Sequence, residues 1–165
     1  MKKETRIYLE TTIPNVATED EPSDRKTITQ MLFGEVAKGY YTAYISALVL
    51  REINRTKSEK RKERLLKVVH RTKHRFIEIT PAIEDLAGEY IKAGVIPKEY
   101  KDDATHLAAA TLASVPTVVT WNLKHLANIK TMDAVNGINI PYGYPQLRIL
   151  TPYELVGHLL DESDF

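Results

Sequence analysis

Apolar positions along this chain recur with two periods, and the points where the period changes mark the predicted elements. Residues 6–10 (RIYLE) are short, β-prone and apolar where a buried strand would be, and the Thr-Thr-Ile-Pro that follows is expected to turn the chain out of the sheet. After Ser23, an N-cap, Ile28, Met31, Leu32, Val36 and Ala37 fall at helical spacing until Gly39 ends the run. Residues 40–45 (YYTAYI) read as the second strand. Ser46 then caps a helix carrying Leu48, Val49, Leu50, Glu52 and Ile53, and Ser58 opens a charged helix through Leu65, Leu66, Val68 and Val69. Residues 76–79 (FIEI) are the third predicted strand. Thr80-Pro81, with Glu84 just beyond, starts a helix that runs to about Gly94. A turn at Pro97 leads into a helix over residues 102–114, whose alanines suit close packing on a sheet. Residues 117–120 (TVVT) are strand four. Beyond it the pattern gives short helical pieces, a turn through PYGYPQ, a strand over residues 147–150 and a helix capped by Thr151-Pro152.

Strands alternating with helices predict an α/β domain with right-handed crossovers and a mostly parallel sheet covered on both faces. At 165 residues the chain suits a single domain, 1–165, around one core. Ligands of such folds bind outside the carboxyl ends of the strands, where the strand order reverses. Residues at strand ends are therefore the ones to question.

Composition narrows the classes. Hydrophobic residues at 43% and charged residues at 27% describe an ordinary folded protein, without the bias of disorder. The absence of cysteine excludes disulfides, zinc-cysteine sites and thiol nucleophiles, and suits a reducing cytoplasm. The start, MKKETRIYLETTIPN, meets charged residues before any long apolar run, so no signal peptide is expected; no stretch reaches the roughly 18 apolar residues of a membrane span, so no membrane association is expected either. The net charge of +1 hides an asymmetry: residues 51–75 hold eleven Lys/Arg against three Glu, a basic arm on an acidic body.

No glycine-rich nucleotide cradle follows any strand, and no G-x-S-x-G elbow is present. What stands at strand ends is oxygen chemistry. Glu10 closes strand one, and Asn122 follows strand four in Thr120-Trp121-Asn122. Glu52 lies in the helix after strand two, and Asp103 in the first turn of the alanine-rich helix, where the helix dipole favours an acid. Hard oxygen ligands converging on one point are what Mg²⁺ or Mn²⁺ requires, and such an ion lets an anionic phosphodiester approach carboxylates that would otherwise repel it.

The strings IYLETTIPN, SALVLREINR, DDATHLAAAT and VVTWNLKHLAN, in this order and spacing, resemble the PIN-domain family, which includes the VapC-type toxins of toxin-antitoxin pairs. The resemblance covers nearly the whole chain. It implies a PIN-like three-layer fold with a central five-stranded parallel sheet in the order 3-2-1-4-5, and a metal-dependent endoribonuclease using Mg²⁺ or Mn²⁺. The family's four acidic positions match Glu10, Glu52, Asp103 and Asn122, which are then both catalytic and metal-binding. It further implies RNA as substrate, an antitoxin protein as a possible partner, and homodimers. Two residues depart from the usual pattern. Glu10 stands where Asp is common, so its longer side chain must rotate inward or displace the ion, and Asn122 offers a neutral oxygen.

Other readings of the same residues stand beside these. Glu10 as a strand-end acid pairs with a lysine, Glu52 as a surface acid pairs with Arg51 or Arg55, and Asp102 competes with Asp103 for both cap and site. Thr11, Thr12 and Thr120 are candidates to orient carboxylates. His106 is one turn from Asp103 and is either in the cleft or a structural histidine; Trp121 is either buried or a base-stacking residue. His70 and His74, at i and i+4 amid lysines, have no evident acid partner. The basic arm serves as a phosphate grip, as a dock for an acidic antitoxin tail, or as a solvated helical hairpin. The chief alternative function is a catalytically degenerate PIN module that binds RNA or a protein without cleaving; a DNA-directed nuclease is disfavoured by the short length.

Overall fold

The computed structural model describes residues 4–163. Its elements, in chain order, are β1 (Arg6–Leu9), α1 (Thr12–Ala17), α2 (Asp24–Ala37), β2 (Thr42–Ser46), α3 (Ala47–Asn54), α4 (Glu59–Arg71), β3 (His74–Ile77), α5 (Pro81–Lys92), α6 (Lys101–Leu112), β4 (Thr117–Val119), α7 (Ile129–Asn139), β5 (Arg148–Leu150), α8 (Pro152–Val156) and α9 (His158–Ser163). The five strands pair in parallel in the order β3-β2-β1-β4-β5, as the resemblance implied.

Alternation along β1 sets the layers, because successive side chains of a strand point to opposite faces. Tyr8 enters a core with Leu86 and Tyr90 of α5, Leu107 of α6 and Val135 of α7. Ile7 and Leu9 enter a second core with Ile28 and Leu32 of α2, Val49 of α3 and Leu65 of α4. A parallel sheet buried on both faces results. Gly39 (φ +85°) and Gly94 (φ +78°) end α2 and α5 in the left-handed conformation that glycine adopts without steric cost.

Several predicted elements differ from the observed ones, the last helix being split into α8 and α9, and four of the differences have a clear physical reason. The Thr-Thr-Ile-Pro expected to be a bare turn starts α1; Pro14 lies in its first turn, where a helical N–H has no intrahelical partner to lose. The second strand begins at Thr42 rather than at residue 40, where pairing with β1 starts. The third strand is shifted back by two residues, because its parallel register aligns His74 with Ala43 and Ile77 with Ser46. It is an edge strand, and its Phe76 is left exposed, which blurs the alternation. Residues 129–139 form one helix instead of short pieces, capped by Asn128, whose Oδ1 accepts the Thr131 N–H at 2.8 Å. Ser23, Ser58 and Thr80 cap their helices as expected, each accepting a backbone N–H.

Candidate active site

The strand order reverses beside β1, since the chain moves from β1 to β2 and β3 on one side and to β4 and β5 on the other. Glu10 follows β1 at that point and is pinned to the neighbouring strand by its own N–H, which donates to Val119 O at 3.1 Å. Its side chain is turned inward and is only 3% exposed. Oε1 accepts three hydrogen bonds, from Thr12 N–H (3.1 Å), Thr12 Oγ1 (2.6 Å) and Thr120 Oγ1 (2.7 Å). The same hydroxyls accept the N–H groups of Trp121 (2.8 Å) and Asn122 (3.0 Å), so a threonine collar joins the ends of β1 and β4.

Glu52 projects from α3 toward this point. Its Oε1 accepts from Thr11 Oγ1 at 3.1 Å and from His106 Nε2 at 2.5 Å. His106 is fully buried; its Nδ1 lies 2.5 Å from the Tyr8 hydroxyl, which in turn lies 2.8 Å from Ser46 Oγ. Ser46, expected as a helix cap, makes no side-chain cap bond, because its hydroxyl belongs to this relay. Burial works to lower the pKa of His106, but the hydrogen bond to Glu52 and the charges of Glu10, Glu52 and Asp103 outweigh it, and the net shift is upward. Burial also pushes the Tyr8 phenol far above its usual range, so it stays protonated. Nε2 of His106 is 3.9 Å from Glu10 Oε2, placing one imidazole between two acids.

Asp103, in the first turn of α6, is half-buried. Its Oδ2 lies 3.2 Å from His125 Nδ1 and 3.5 Å from Asn122 Nδ2. Asn122 Oδ1 accepts the His125 N–H at 3.0 Å, so the Asn122 side chain shapes the turn that presents the imidazole. Burial first, and then the charge of Glu10, raise the Asp103 pKa, while His106 and His125 pull it partly back. Asp102 points away, into an exposed ion pair with Arg55 at 2.7 Å. Of the two aspartates, Asp103 is the one that lies beside Asn122 and His125.

The four residues singled out in the sequence do meet at one edge of the sheet, as two pairs: Glu10 and Glu52 through His106, Asp103 and Asn122 directly. As the side chains stand, no group of three or more His, Cys, Asp or Glu among the described residues is closed around a single point as a metal site. The chemistry of the donors nevertheless fits a hard divalent cation. Each carboxylate commits one oxygen to the protein and leaves the other, Glu10 Oε2, Glu52 Oε2 and Asp103 Oδ1, without a hydrogen-bond donor among the described residues. The Glu52 and Asp103 side chains are partly exposed, whereas Glu10 is buried with its Oε2 facing His106 Nε2 at 3.9 Å. The upward shift of Asp103, caused first by burial and then by the charge of Glu10, is one that a bound cation would oppose.

His125, Tyr100, Tyr8 and Ser46 were not singled out from the sequence as parts of a site. The Asn122-x-x-His125 spacing was the available signal for His125, because a short polar side chain often returns to a backbone N–H just ahead of it. Trp121 is engaged within the fold: its Nε1 donates to Thr29 Oγ1 at 2.9 Å, Arg25 lies 5.0 Å from its ring centroid, and Tyr153 meets it edge-on. His70 and His74 fall on different elements, α4 and β3, and His74 Nδ1 lies 2.7 Å from Thr72 O. The basic arm forms α3, α4 and β3, mostly exposed, with Arg61 and Arg64 tied to Asn15 and Asp20 beside α1.

Solved structures share this architecture. One is a chain of the VapBC2 complex from Rickettsia felis, bound to a DNA fragment from their promoter; it has a TM-score of 0.57 and 19% identity, over 88% of this chain and 98% of that one. Another is VapC20 of Mycobacterium tuberculosis, described as a Sarcin-Ricin loop cleaving toxin, with a TM-score of 0.52 and 19% identity over 68% of this chain and 86% of that one. No family model and no curated protein matches the sequence.

Proposed function

We propose that this chain, which has the fold of the VapC-type PIN-domain toxins, is a divalent-metal-dependent endoribonuclease of the VapC kind. The observation that carries the reading is the convergence of Glu10, Glu52 and Asp103, from three separate segments, on the end of the sheet where the strand order reverses, each with one oxygen held by the protein and the other without a donor among the described residues. Glu10 Oε2, Glu52 Oε2 and Asp103 Oδ1 are the atoms that would hold Mg²⁺ or Mn²⁺, with the Asn122 amide assisting. When bound, such an ion neutralises the carboxylates, polarises a phosphodiester and acidifies water for its hydrolysis.

The chain's own groups supply the fixed geometry. Thr12 and Thr120 hold Glu10, while Thr11 and His106 hold Glu52. His125 and Asn122 hold Oδ2 of Asp103, leaving Oδ1 for the ion. No protein nucleophile is required. The exposed cations of α4 suit an RNA backbone or the acidic tail of an antitoxin partner, and a homodimer in the cytoplasm is the assembly this reading expects. Among the described residues no helix is long and apolar enough to cross a membrane.

The test is incubation of the purified protein with structured and unstructured RNAs in Mn²⁺ or EDTA. Cleavage that needs Mn²⁺ and disappears in Asp103→Asn is the expected result; undiminished cleavage by that variant overturns the assignment. One observation favours a second reading, a module that binds RNA without cutting: His106 stands between Glu10 and Glu52 and, when protonated, places positive charge where a cation would. Absence of Mn²⁺ binding at millimolar concentration is the result that would select it.

A further inference from the structure

The rim of the site carries an aromatic pair that the acid chemistry does not use. Tyr100 ends the single 3-10 turn before α6, and its ring centroid lies 3.9 Å from that of His125, tilted by 46°. His125 is the residue whose Nδ1 lies 3.2 Å from Asp103 Oδ2. Although backed by the imidazole, Tyr100 remains 44% exposed, and Leu123 on the adjoining loop is 57% exposed. Exposed Lys98, Lys101 and Lys124 flank the pair in sequence and make no ion pair with any described residue.

We infer that Tyr100, supported by His125, is a stacking platform for an unpaired nucleobase of an RNA strand whose backbone passes Asp103. This rests on the nuclease reading and deepens it by assigning a residue beside Asp103 to hold the substrate's base. Three physical points support it. A tyrosine face backed by another ring is already ordered, so stacking a base on it costs little side-chain entropy. Every base has a π-face, so such a platform holds a strand without reading its sequence. Lys98 and Lys101 beside Tyr100, and Lys124 on the loop after β4, make no ion pair with described residues and supply attraction for the phosphates next to the stacked nucleotide. Trp121, next to Asn122 in sequence, is unsuited because Arg25 and Tyr153 already pack against its indole.

The experiment measures binding of a fluorescein-labelled, 12-nucleotide single-stranded RNA of mixed sequence by anisotropy in Ca²⁺, a hard cation that neutralises the carboxylates, with a gel confirming that the RNA stays intact. It compares the wild-type chain with Tyr100→Phe and Tyr100→Ala, and repeats the series with a fully base-paired RNA. Because Tyr100 is exposed, both variants should melt with the wild type. The platform requires Tyr100→Ala to lose roughly ten- to hundredfold in affinity for the single strand, Tyr100→Phe to keep it, and neither to differ on the duplex. Wild-type affinity in Tyr100→Ala, in a preparation whose wild type does cleave RNA with Mn²⁺, overturns the platform alone. Equal losses on single strand and duplex also overturn it, since they report general attraction rather than stacking. If the wild-type chain neither binds nor cleaves any RNA, the platform and the nuclease reading fall together.

Discussion

The two sides of the acidic site are held by opposite means. On the β2 side, Glu52 ends a buried relay of Ser46, Tyr8 and His106, and Glu10 beside it is clasped by the threonine collar. On the β4 side, Asp103 meets only His125 and Asn122, and His125 lies under the exposed ring of Tyr100. Buried polar groups in a low-dielectric setting are costly unless fully satisfied, and once satisfied they fix geometry. One side thus has the makings of a rigid frame, the other of an entrance.

The largest effect is expected on the open side. Asp103→Asn should abolish cleavage while the fold survives, because the carboxyl it replaces is disfavoured by burial and by Glu10. The sign follows from linkage: a carboxyl whose folded pKa lies above its ordinary 3.8 contributes most below that pH and loses its contribution as pH rises through the folded value. At neutral pH the variant should melt at or above the wild-type temperature, as circular dichroism would record. A clear fall in melting temperature would mean that Asp103 belongs to the frame.

Next comes the buried side. His106→Leu strips the donor from Glu52 and a partner from Tyr8, which should cost about 1–3 kcal/mol in urea unfolding. It should also lower cleavage roughly 10- to 100-fold, as loss of a residue orienting a metal ligand does. His106→Gln keeps an N–H for Glu52 and should restore much of both. Since the folded pKa of His106 is raised, its contribution to stability is complete below the ordinary 6.5 and fades as pH rises through the folded value. Urea midpoints in EDTA should therefore decline above neutrality in the wild type and more weakly in His106→Gln; parallel profiles would remove His106 from the balance.

Smaller effects sharpen the boundary. Thr120→Val deletes one of three donors to Glu10 Oε1 and the acceptor of the Asn122 N–H without changing shape, and should cost about 1–2 kcal/mol with a several-fold loss of cleavage. Asp102→Asn disturbs only the exposed pair with Arg55, and should leave both melting temperature and cleavage at wild-type values. A large effect there would return the site to the competing aspartate.

The acids and the central strands were legible because conspicuous residue types stand where apolar runs end, as Glu10 does after IYL and Asn122 after TVVT. The frame was less so. His106 and Tyr8 are 98 residues apart, and Tyr8 and Ser46 are 38 apart, so no local period joins them; the sheet brings them together. The contact of Tyr100 with His125 likewise exists only because the loop before α6 meets the loop after β4. α1 was hidden because Pro14 reads as a breaker, though the first turn of a helix tolerates proline. The start of β3 was misplaced because register with β2, not its own alternation, decides where an edge strand begins.

The left-handed turn at Gly94 divides the site's residues evenly: Glu10 and Glu52 precede it, Asp103 and Asn122 follow. Across that division Tyr90 of α5 bonds to Thr111 of α6 at 3.0 Å and to Asn139 of α7 at 2.5 Å, a seam of matched polar groups in an apolar layer. A chain opened at Gly94 yields two fragments, neither owning a complete set of acids. Any phosphodiester cleavage they show on mixing would be a direct reporter of their reassembly.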